Sequence, residues 1–435
     1  MSLFGQVPCF RSSSPVLNRA FRLALGGITI NTQCIRQGIL REEKPCVMAG
    51  LDYPSPWTRD AAINVCQAVA LLDPVVAQYT MLSVLEEKDG KVLIGDQYWD
   101  KIIWSIGAER IWKVTGNREW LRFAYGVIRD TIGILEAEEF DPSDGLFRGA
   151  AVYGDGVSAY PEKYRNPSLS AGILRWSDEH PEERFPVGGG LPMKALSTNC
   201  VYAETYRILA DMAGALRKDS REWAGKASRL KEAINRICWN EKTGRYDYLA
   251  GECDAQEGLG LAFAILFGIA DEERTESLIR NTTISPNGIP CVYPSFAPYD
   301  TDGFGRHSGT VWPHIQGFWA RAMLKAGHPE LFEKELFALA KNAERDMQFA
   351  EIYHPENGES YGGIQEGGGE YLLWRSCVWQ TWSATAFLSM VLDGIFDPLE
   401  TGMGPMLPSG LKYAELRNLR LRDRDIHITL GEVQP

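Results

Sequence analysis

Apolar residues recur at three- and four-residue spacing along most of the chain, and this spacing predicts a protein built from amphipathic helices. Gly, Pro, Asp or Asn bounds most of these stretches, as is typical of helix ends. Strand-like alternation is rare before 411–430, where it predicts a terminal β-hairpin. The helical pattern predicts about twelve helices, at positions 15–25, 59–72, 75–87, 96–115, 118–137, 193–216, 221–239, 258–268, 272–280, 311–326, 329–346 and 376–392.

The predicted helices follow one another in pairs joined by short turns, which makes about six helical hairpins. A helical solenoid would show a fixed period and self-similar repeats, and the sequence has neither. We therefore predict an all-α fold, an (α/α)6 toroid of six helical hairpins with a small C-terminal β-hairpin. Residues 1–407 are predicted to form the barrel and 408–435 a short β appendage packed on it. Loops rich in Gly, Pro, Asp and aromatic residues would gather at one end of the ring, where function tends to lie.

Composition narrows the range of partners. The chain of 435 residues is 45% hydrophobic and carries 45 Lys and Arg against 57 Asp and Glu, a net charge of -12. This balance argues against nucleic acid, whose binders need a basic face. No apolar run is long enough for a membrane span, no secretory signal pattern opens the chain, and the nine cysteines are scattered. We expect a cytoplasmic protein with no nucleic-acid or membrane partner; the sequence predicts no oligomeric state.

Nothing in the sequence indicates a metal or a cofactor. The six histidines lie far apart, without metal-ligand spacing. No Walker loop, GxSxG elbow or HExxH motif is present. We therefore expect neither a metal nor a cofactor, and any chemistry must come from side chains.

The first candidate residues surround a predicted helix start at Trp57-Thr58-Arg59-Asp60. Two prolines precede this motif, so Arg59 and Asp60 fall at the helix N-terminus on the loop side. An indole such as Trp57 can stack on a pyranose face while ionic side chains hold its hydroxyls. Helix capping by Asp60 and core packing of Trp57 explain the same residues equally well.

Two further helix starts carry aromatic and polar residues. Tyr98 and Trp99 follow a Gly-Asp turn and could line a central funnel, although simple capping is favoured there. Trp312 and Gln316 lie at the start of another helix and could contact a ligand, whereas His307 is more typical of a hydrogen-bonding support.

Two loops offer carboxylates. Asp155 lies in the long aromatic loop 141–167; a Gly-Asp-Gly sequence usually marks a turn, but long loops in compact domains are often functional. The connection 349–375 holds five acids, six glycines and several aromatic residues, a composition that favours function over a flexible acidic surface loop.

Such a composition fits the cleavage of a glycosidic bond. That reaction needs one carboxyl group to protonate the leaving oxygen and another to activate water or to act as nucleophile. The acid must keep its proton near neutral pH, which burial beside aromatic side chains achieves. The loop carboxylates supply the two carboxyl groups, and the thirteen tryptophans supply aromatic surroundings for the acid.

On these residues the chain resembles the six-hairpin glycosidases of the (α/α)6-barrel type, among them trehalases, glucoamylases, processing α-glucosidase I and bacterial mannosylglycerate and glucosylglycerate hydrolases. Trp57-Thr58-Arg59-Asp60 is similar to the glucoamylase motif whose Arg-Asp pair binds the sugar. Glu351-Ile352-Tyr353 is similar to the Glu-x-Tyr stretch that carries the catalytic base. Gly367-Gly368-Gly369-Glu370-Tyr371, leading to Trp379 and Trp382, is similar to the stretch before the last barrel helix.

The resemblance implies an inverting, exo-acting α-glycosidase of the α-glucosidase or α-mannosidase type, with a small carbohydrate substrate. Glu351 would be the base, with Glu359 and Glu370 as rivals. Trehalases and α-glucosidase I carry their acid in a Gly-x-Asp stretch before a mid-chain helix, where this chain has 188–193 without a carboxylate. Asp155 is therefore the predicted acid, and Asp178 and Glu179 are lesser candidates. The implied substrate-binding residues are Trp57, Arg59, Asp60, Tyr98, Trp99, Tyr153, His307, Trp312, Gln316, Glu359, Trp374 and Arg375.

The same toroid also carries phosphorylases and epimerases, and these remain alternatives. An epimerase would use histidines as proton shuttles, for which His307, His314 and His354 are available, but the carboxylate motifs argue against it. A non-catalytic carbohydrate-binding protein that kept the pocket and lost the acid is the third alternative.

Overall fold

The computed structural model describes residues 7–95, 98–165, 172–301, 303–422 and 424–432. Two π-helical segments extend the α-helices: Val65–Val69 joins Thr58–Asn64 to Ala70–Leu72, and Met390–Phe396 follows Thr381–Ser389. Short 3-10 turns occupy Lys101–Ile103, Val157–Ala159 and Glu162–Tyr164. Within the described ranges the α-helices are α1 (Pro15–Asn31), α2 (Thr58–Asn64), α3 (Ala70–Leu72), α4 (Pro74–Leu82), α5 (Trp104–Thr115), α6 (Arg118–Glu139), α7 (Leu174–Glu179), α8 (Leu196–Ala215), α9 (Arg221–Ile237), α10 (Gly258–Leu266), α11 (Glu272–Asn281), α12 (Pro313–Lys325), α13 (Pro329–Asp346) and α14 (Thr381–Ser389).

The helices form two concentric rings. Helices α2, α5, α8, α10, α12 and α14 contact one another in that order, and α14 closes the ring against α2 and the π-helical segment that follows it. Helices α1, α4, α6, α9, α11 and α13 lie outside, each preceding its inner neighbour along the chain. This arrangement is the predicted (α/α)6 toroid.

The distribution of apolar residues explains why each helix takes its layer. Every residue of α14 is buried, as is all of α10 except its last residue. The outer helix α9 instead buries only Trp223, Leu230, Ala233 and Ile234, which form one stripe. A helix that is apolar on all sides belongs inside, and one with a single apolar stripe belongs at the surface. No helix in the described ranges has both the length and the apolar character that crossing a bilayer requires.

The inner helices all begin at the same end of the ring. Each outer helix turns back into the inner helix that follows it, so the inner helices run in parallel. The loops that lead into α2, α12 and α14 therefore meet at one mouth of the toroid, and this mouth holds the site described below.

The described strands are short apart from the last two. The predicted C-terminal hairpin is present as β14 and β15, and β14 also pairs with the N-terminal strand β1, which the sequence pattern did not predict. Leu416 and Leu419 of β14 pack into the same apolar core as the helices. The strands are β1 (Cys9–Ser12), β2 (Thr32–Ile35), β3 (Lys44–Val47), β4 (Leu85–Lys88), β5 (Lys91–Ile94), β6 (Phe140–Asp141), β7 (Leu146–Phe147), β8 (Trp239–Asn240), β9 (Arg245–Tyr246), β10 (Gln256–Glu257), β11 (Val292–Tyr293), β12 (Ile364–Gly367), β13 (Glu370–Leu373), β14 (Tyr413–Leu421) and β15 (Arg424–Gly431).

Several predicted boundaries differ from the structure. The helix predicted at 75–87 ends at Leu82, and β4 and β5 form a hairpin around Asp89 and Gly90. Both turn residues have positive φ, 50° and 73°, as an Asp-Gly hairpin turn requires. The helix start predicted at 96 lies outside the described residues, and the first helical turn observed there is Lys101–Ile103.

Candidate active site

A cavity of about 320 Å³ opens at the end of the toroid where the inner helices begin. Its volume lies at the lower end of the roughly 300–1,000 Å³ that ligand pockets usually span, so it suits a small ligand. Residues from the starts of α2, α12 and α14 meet here with residues from the connecting loops. The lining consists of Tyr53, Trp57, Arg59, Asp60, Tyr98, Asp155, Gly156, Gly172, Arg306, His307, Trp312, Glu351, Gln365, Trp374, Gln380 and Trp382.

Glu351 is buried in the wall of this cavity, and hydrogen-bond donors hold both its oxygens. Arg306 Nη2 lies 2.6 Å from Oε2, and the Tyr53 hydroxyl donates to Oε1 at 2.7 Å. The backbone N–H of Cys377 also donates to Oε2, at 3.2 Å. Burial raises the pKa of the Tyr53 hydroxyl, which keeps it a donor. A carboxylate oriented by donors alone suits the work of a general base.

Asp155 is the more exposed carboxylate of the cavity, with 39% of its side chain accessible. Arg59 Nη1 lies 3.4 Å from its Oδ1. Arg59 is itself fixed by the buried Asp100, whose Oδ2 lies 2.6 Å from Nε, and its guanidinium lies 4.8 Å from the centre of the Tyr98 ring. One arginine thus positions Asp155, and a different arginine positions Glu351. The burial that the sequence analysis expects of the acid is only partial at Asp155, since 39% of its side chain is accessible.

Asp60 is a third carboxyl group facing the cavity. Burial raises its pKa well above the usual range; the positive charge of Arg59 opposes this shift, and the carboxylates of Glu351 and Asp155 reinforce it. Asp60 is thereby biased towards its protonated form, in which a carboxyl group can donate a hydrogen bond.

The floor of the cavity is aromatic. The rings of Trp312 and Trp382 lie 5.6 Å apart, and His314 stacks on Trp382 at 4.3 Å. His307 stacks on Trp312 at 4.9 Å. Burial lowers the pKa of His307 to about 3 and that of His314 well below its usual value, so both rings are neutral.

Several buried polar atoms in the lining have no hydrogen-bond partner among the described residues. They include both amide atoms of Gln380 and the indole Nε1 of Trp382. Buried polar groups are normally satisfied, so such atoms around a cavity point to a polar ligand that completes them. A sugar, with hydroxyls on every side, can both donate to and accept from this set.

The rim of the cavity carries two exposed tryptophans. Trp57 is 37% exposed and Trp374 is 41% exposed, and both still line the cavity. Trp57, which directly precedes α2, has φ 54° and ψ 144°. This backbone conformation favours glycine and costs other residues about 1–3 kcal/mol, and such residues cluster at functional sites.

The cavity brings together most of the residues singled out in the sequence: Trp57, Arg59, Asp60, Tyr98, Asp155, His307, Trp312, Glu351 and Trp374. Two predicted aromatic residues lie behind its wall instead. Trp99 packs in a separate apolar cluster beside the site. Tyr153 is buried 5.5 Å from the Trp312 ring and 5.9 Å from that of His307.

Three polar residues predicted to bind substrate also lie outside the cavity lining. Gln316 is buried one turn along α12, where its amide donates to Glu335 at 2.8 Å. Arg375 is exposed and pairs with Asp52 at 2.7 Å. Glu359 is exposed on a neighbouring turn.

The rival carboxylates are exposed and do not line the cavity. Asp178 and Glu179 lie at the end of α7, and Glu370 is the first residue of β13. His354, considered as a proton shuttle, also lies outside the lining, where its Nδ1 accepts from the backbone N–H of Glu356 at 3.2 Å.

Besides Gly156 and Gly172, sequence reasoning did not assign to the site five residues that the structure places at the cavity: Tyr53, Arg306, Gln365, Gln380 and Trp382. Arg306 and Tyr53 contact Glu351 from segments 45 and 298 positions away. A signal was available for Arg306, since it directly precedes His307 in the loop that enters α12. None was available for the contact with Tyr53.

The sequence matches the family model described as "Mannosylglycerate hydrolase MGH1-like glycoside hydrolase domain" over residues 53–374. This range contains all the cavity-lining residues except Gln380 and Trp382. The chain belongs to the MGH1-like glycoside hydrolases. None of the curated proteins matches the sequence.

Solved structures similar to this MGH1-like hydrolase share its fold at low identity. A family 63 mannosylglycerate hydrolase from Thermus thermophilus, solved with glucose, is 16% identical with a TM-score of 0.64; the match covers 86% of this chain and 100% of that one. The neutral trehalase of Saccharomyces cerevisiae is 13% identical with a TM-score of 0.55, covering 88% and 82%. A chain titled sialidase is 13% identical with a TM-score of 0.68; the match covers 98% of this chain but only 38% of that one.

Proposed function

We propose that this glycoside hydrolase is an inverting, exo-acting α-glycosidase that removes one terminal glucosyl or mannosyl unit from a small carbohydrate. One observation carries the proposal: Glu351 and Asp155 face the same small cavity while different arginines hold them. In an inverting mechanism, water displaces the leaving group in one step. This step requires two carboxyl groups, each held separately, on opposite sides of one sugar.

In this mechanism Asp155 donates its proton to the glycosidic oxygen as the bond to the anomeric carbon breaks. Glu351 accepts a proton from the water that attacks the same carbon from the other face. Inversion needs a carboxyl separation of roughly 6.5–9.5 Å, which leaves room for that water. The partial exposure of Asp155 allows it to regain a proton from solvent after each turnover, and Glu351 releases the proton that it accepted to water in the cavity that it lines.

The rest of the cavity would hold the terminal sugar. Asp60 in its protonated form can donate to one hydroxyl, and the unpartnered atoms of Gln380 and Trp382 can complete others. The Trp312 ring offers an apolar surface for the sugar face. The small volume of the cavity favours a chain end over an internal unit, which supports exo action.

Proton NMR of the first minutes of hydrolysis tests the proposal. Methyl and 4-nitrophenyl α-glucosides and α-mannosides are incubated with the enzyme, with and without inorganic phosphate. Initial release of the β-anomer, independent of phosphate, is expected. Initial α-anomer would show retention, a sugar phosphate would show phosphorolysis, and either result would replace the proposed mechanism.

A further inference from the structure

Arg59 contacts two carboxyl groups that differ in exposure. Its Nε lies 2.6 Å from Oδ2 of Asp100, and its Nη2 lies 3.5 Å from Oδ1 of the same residue. Its Nη1 lies 3.4 Å from Oδ1 of Asp155. Asp100 is buried and does not line the cavity, whereas Asp155 is partly exposed and does. One guanidinium is therefore shared unequally, with the closer contact on the carboxyl group behind the cavity wall.

The Asp100 side chain serves this contact and not the helical turn that follows it. Asp100 directly precedes the 3-10 turn Lys101–Ile103, but its side chain makes no capping hydrogen bond to that turn. The backbone N–H of Tyr153 also donates to Asp100 Oδ2, at 3.4 Å. Tyr153 lies two positions before Asp155, and its carbonyl accepts from the Asp155 N–H at 2.9 Å. Asp100 thus contacts both Arg59 and the loop that carries Asp155.

A positive charge beside Asp155 opposes the role of this residue as acid. Asp155 must carry a proton when it meets the glycosidic oxygen, and an opposite charge within about 4–6 Å favours the ionised form of a carboxyl group. A carboxylate that already neutralises the arginine weakens this effect. Asp100 can supply that negative charge without competing for the substrate, because it lies outside the cavity lining.

The other groups around Asp155 leave the balance of charge to Arg59. In the described part of the chain these groups are Asp60 of α2, Tyr98, Tyr160 of the same loop, and Arg306 and His307 before α12. Burial lowers the pKa of His307 to about 3 and raises the pKa of both tyrosines, so these three side chains are neutral. Burial also raises the pKa of Asp60. Arg306 is charged, but it pairs with the carboxylate of the base at 2.6 Å.

We propose that Asp100 is a positioning residue for the acid: by pairing with Arg59, it prevents the positive charge of the arginine from ionising Asp155 before the glycosidic oxygen takes the proton. The inference rests on the proposed hydrolysis by Asp155 and Glu351. Once the proton has passed to the leaving oxygen, Asp155 is a carboxylate, and Arg59 Nη1 at 3.4 Å is placed to stabilise it. Solvent then returns the proton to Asp155.

The pH profile of kcat/KM in Asp100→Asn tests the inference. Loss of the proton from the acid sets the alkaline limb of this profile on methyl α-glycosides. Because Arg59 lacks its buried counter-ion in the variant, this limb should move to lower pH by about 1–3 pH units, the usual effect of an arginine on a neighbouring carboxyl group. No such shift is expected on 2,4-dinitrophenyl glycosides, whose leaving oxygen needs no proton. The acid limb, which the base Glu351 sets, should stay in place.

Asp393→Asn is the matched control. Asp393 is also a buried aspartate that pairs with arginines, but it lies in the π-helical segment after α14, outside the cavity lining. Its variant should lose stability and keep the wild-type pH profile.

A double variant, Arg59→Gln with Asp100→Asn, removes both charges of the pair and so leaves no buried charge without a partner. A thermal melt shows whether each variant is folded. With the guanidinium gone, the alkaline limb of the double variant should lie at the wild-type pH or above it, whatever the loss in kcat/KM.

An alkaline limb in Asp100→Asn that coincides with that of the wild type would overturn the inference, as would an equal shift on the dinitrophenyl glycosides. A limb at lower pH in the double variant would do the same, since no guanidinium is left there to ionise Asp155. If no α-glycoside is cleaved, the proposed function fails separately. The carboxyl 13C NMR signal of Asp155, identified by its absence in Asp155→Asn, then still decides: it should titrate at lower pH in Asp100→Asn, and an unchanged titration refutes the role of Asp100.

Discussion

Both ends of the toroid contain arginine–carboxylate pairs, but the pairs serve different purposes at the two ends. At the cavity end, Arg306 and Arg59 hold Glu351 and Asp155, and part of Asp155 remains open to the cavity. At the far end, Asp393 has no exposed side-chain surface; Arg110 contacts one oxygen and Arg321 the other at 3.1 Å. Arginine–carboxylate pairs on inner helices are therefore not by themselves a mark of catalysis.

What separates the two ends is whether the carboxylate keeps access to a ligand. The far end has a cavity of its own, of about 760 Å³, but its acidic residues are bound by neighbouring cations, as in the contact between Glu109 and Arg207 at 3.0 Å. At the cavity end, 39% of the Asp155 side chain is accessible, whereas none of the Asp393 side chain is. We therefore predict that substitutions at the cavity end reduce turnover and that substitutions at the far end reduce stability.

The largest effect is expected for Glu351→Gln. Loss of a general base typically lowers the rate by 10²–10⁴-fold, and kcat should fall by about 10⁴-fold on all cleaved glycosides. Because Arg306 loses its buried counter-ion, the variant should also be less stable, so kcat is measured below the transition that a thermal melt locates for it. Glu335→Gln is the control, since Glu335 is equally buried on α13 but remote from the cavity lining; a similar loss there would contradict the assignment.

Asp155→Asn is expected to cost about 10³-fold on substrates with sugar or alkyl leaving groups, within the usual range for a general acid. On 2,4-dinitrophenyl glycosides the loss should be much smaller, because that oxygen departs without a proton. Steady-state kinetics on both substrate types measure the difference. Equal losses on the two would assign Asp155 to binding and leave the acid elsewhere.

Asp393→Asn should act on stability instead. Breaking a buried pair typically costs about 3–5 kcal/mol, here because Arg110 and Arg321 lose their common counter-ion. Urea denaturation should show that loss, while kcat/KM at 25 °C stays within about two-fold of the wild type. A selective fall in kcat/KM without a fall in stability would show that the far end takes part in the reaction.

The smallest effect concerns Glu257, a fully buried carboxyl group at the start of α10. Burial raises its pKa from 4.5 to about 8, against a hydrogen bond from Ser197. The folded protein thus keeps a proton that the unfolded chain releases, so this stabilisation is complete below pH 4.5 and is lost as pH rises to about 8. In Glu257→Gln, the free energy of unfolding should fall less steeply with pH, by at most roughly 1.4 kcal/mol per pH unit. Urea denaturation between about pH 5 and 8 measures this slope. An unchanged slope would mean that Glu257 is ionised in the native state.

The sequence pattern predicted the helical rings well because burial of apolar faces is a local, periodic property. It was less able to predict which side chains share the cavity. Gln316 was predicted to contact a ligand together with Trp312 at the same helix start, yet four residues move a side chain about 6 Å along the helix axis, here into contact with Glu335. Trp99 lies beside Tyr98 in the chain and the two ring centres are 5.4 Å apart, yet of the two only Tyr98 lines the cavity.

The contacts of Glu351 also could not be predicted from the sequence pattern. Its motif identified the residue, but Tyr53 and Arg306 approach it from loops whose proximity depends on how the ring closes. The glycine-rich stretch 362–369 was predicted as part of a loop and forms the hairpin of β12 and β13, which places Gln365 at the cavity. Such contacts depend on tertiary geometry that one sequence does not encode locally.

The pairing of β1 with β14 has a consequence for how the molecule folds. Ser12 lies opposite Ala414, so this contact joins residues about 400 positions apart. Contacts of such long range cost the most chain entropy and tend to form late, because many shorter segments gain structure first. We expect the growing toroid to exist as an open arc of hairpins until α14 docks against α2. Since Glu351 needs Tyr53 from the first part of that arc, the catalytic cavity would come into existence only in the final step of folding.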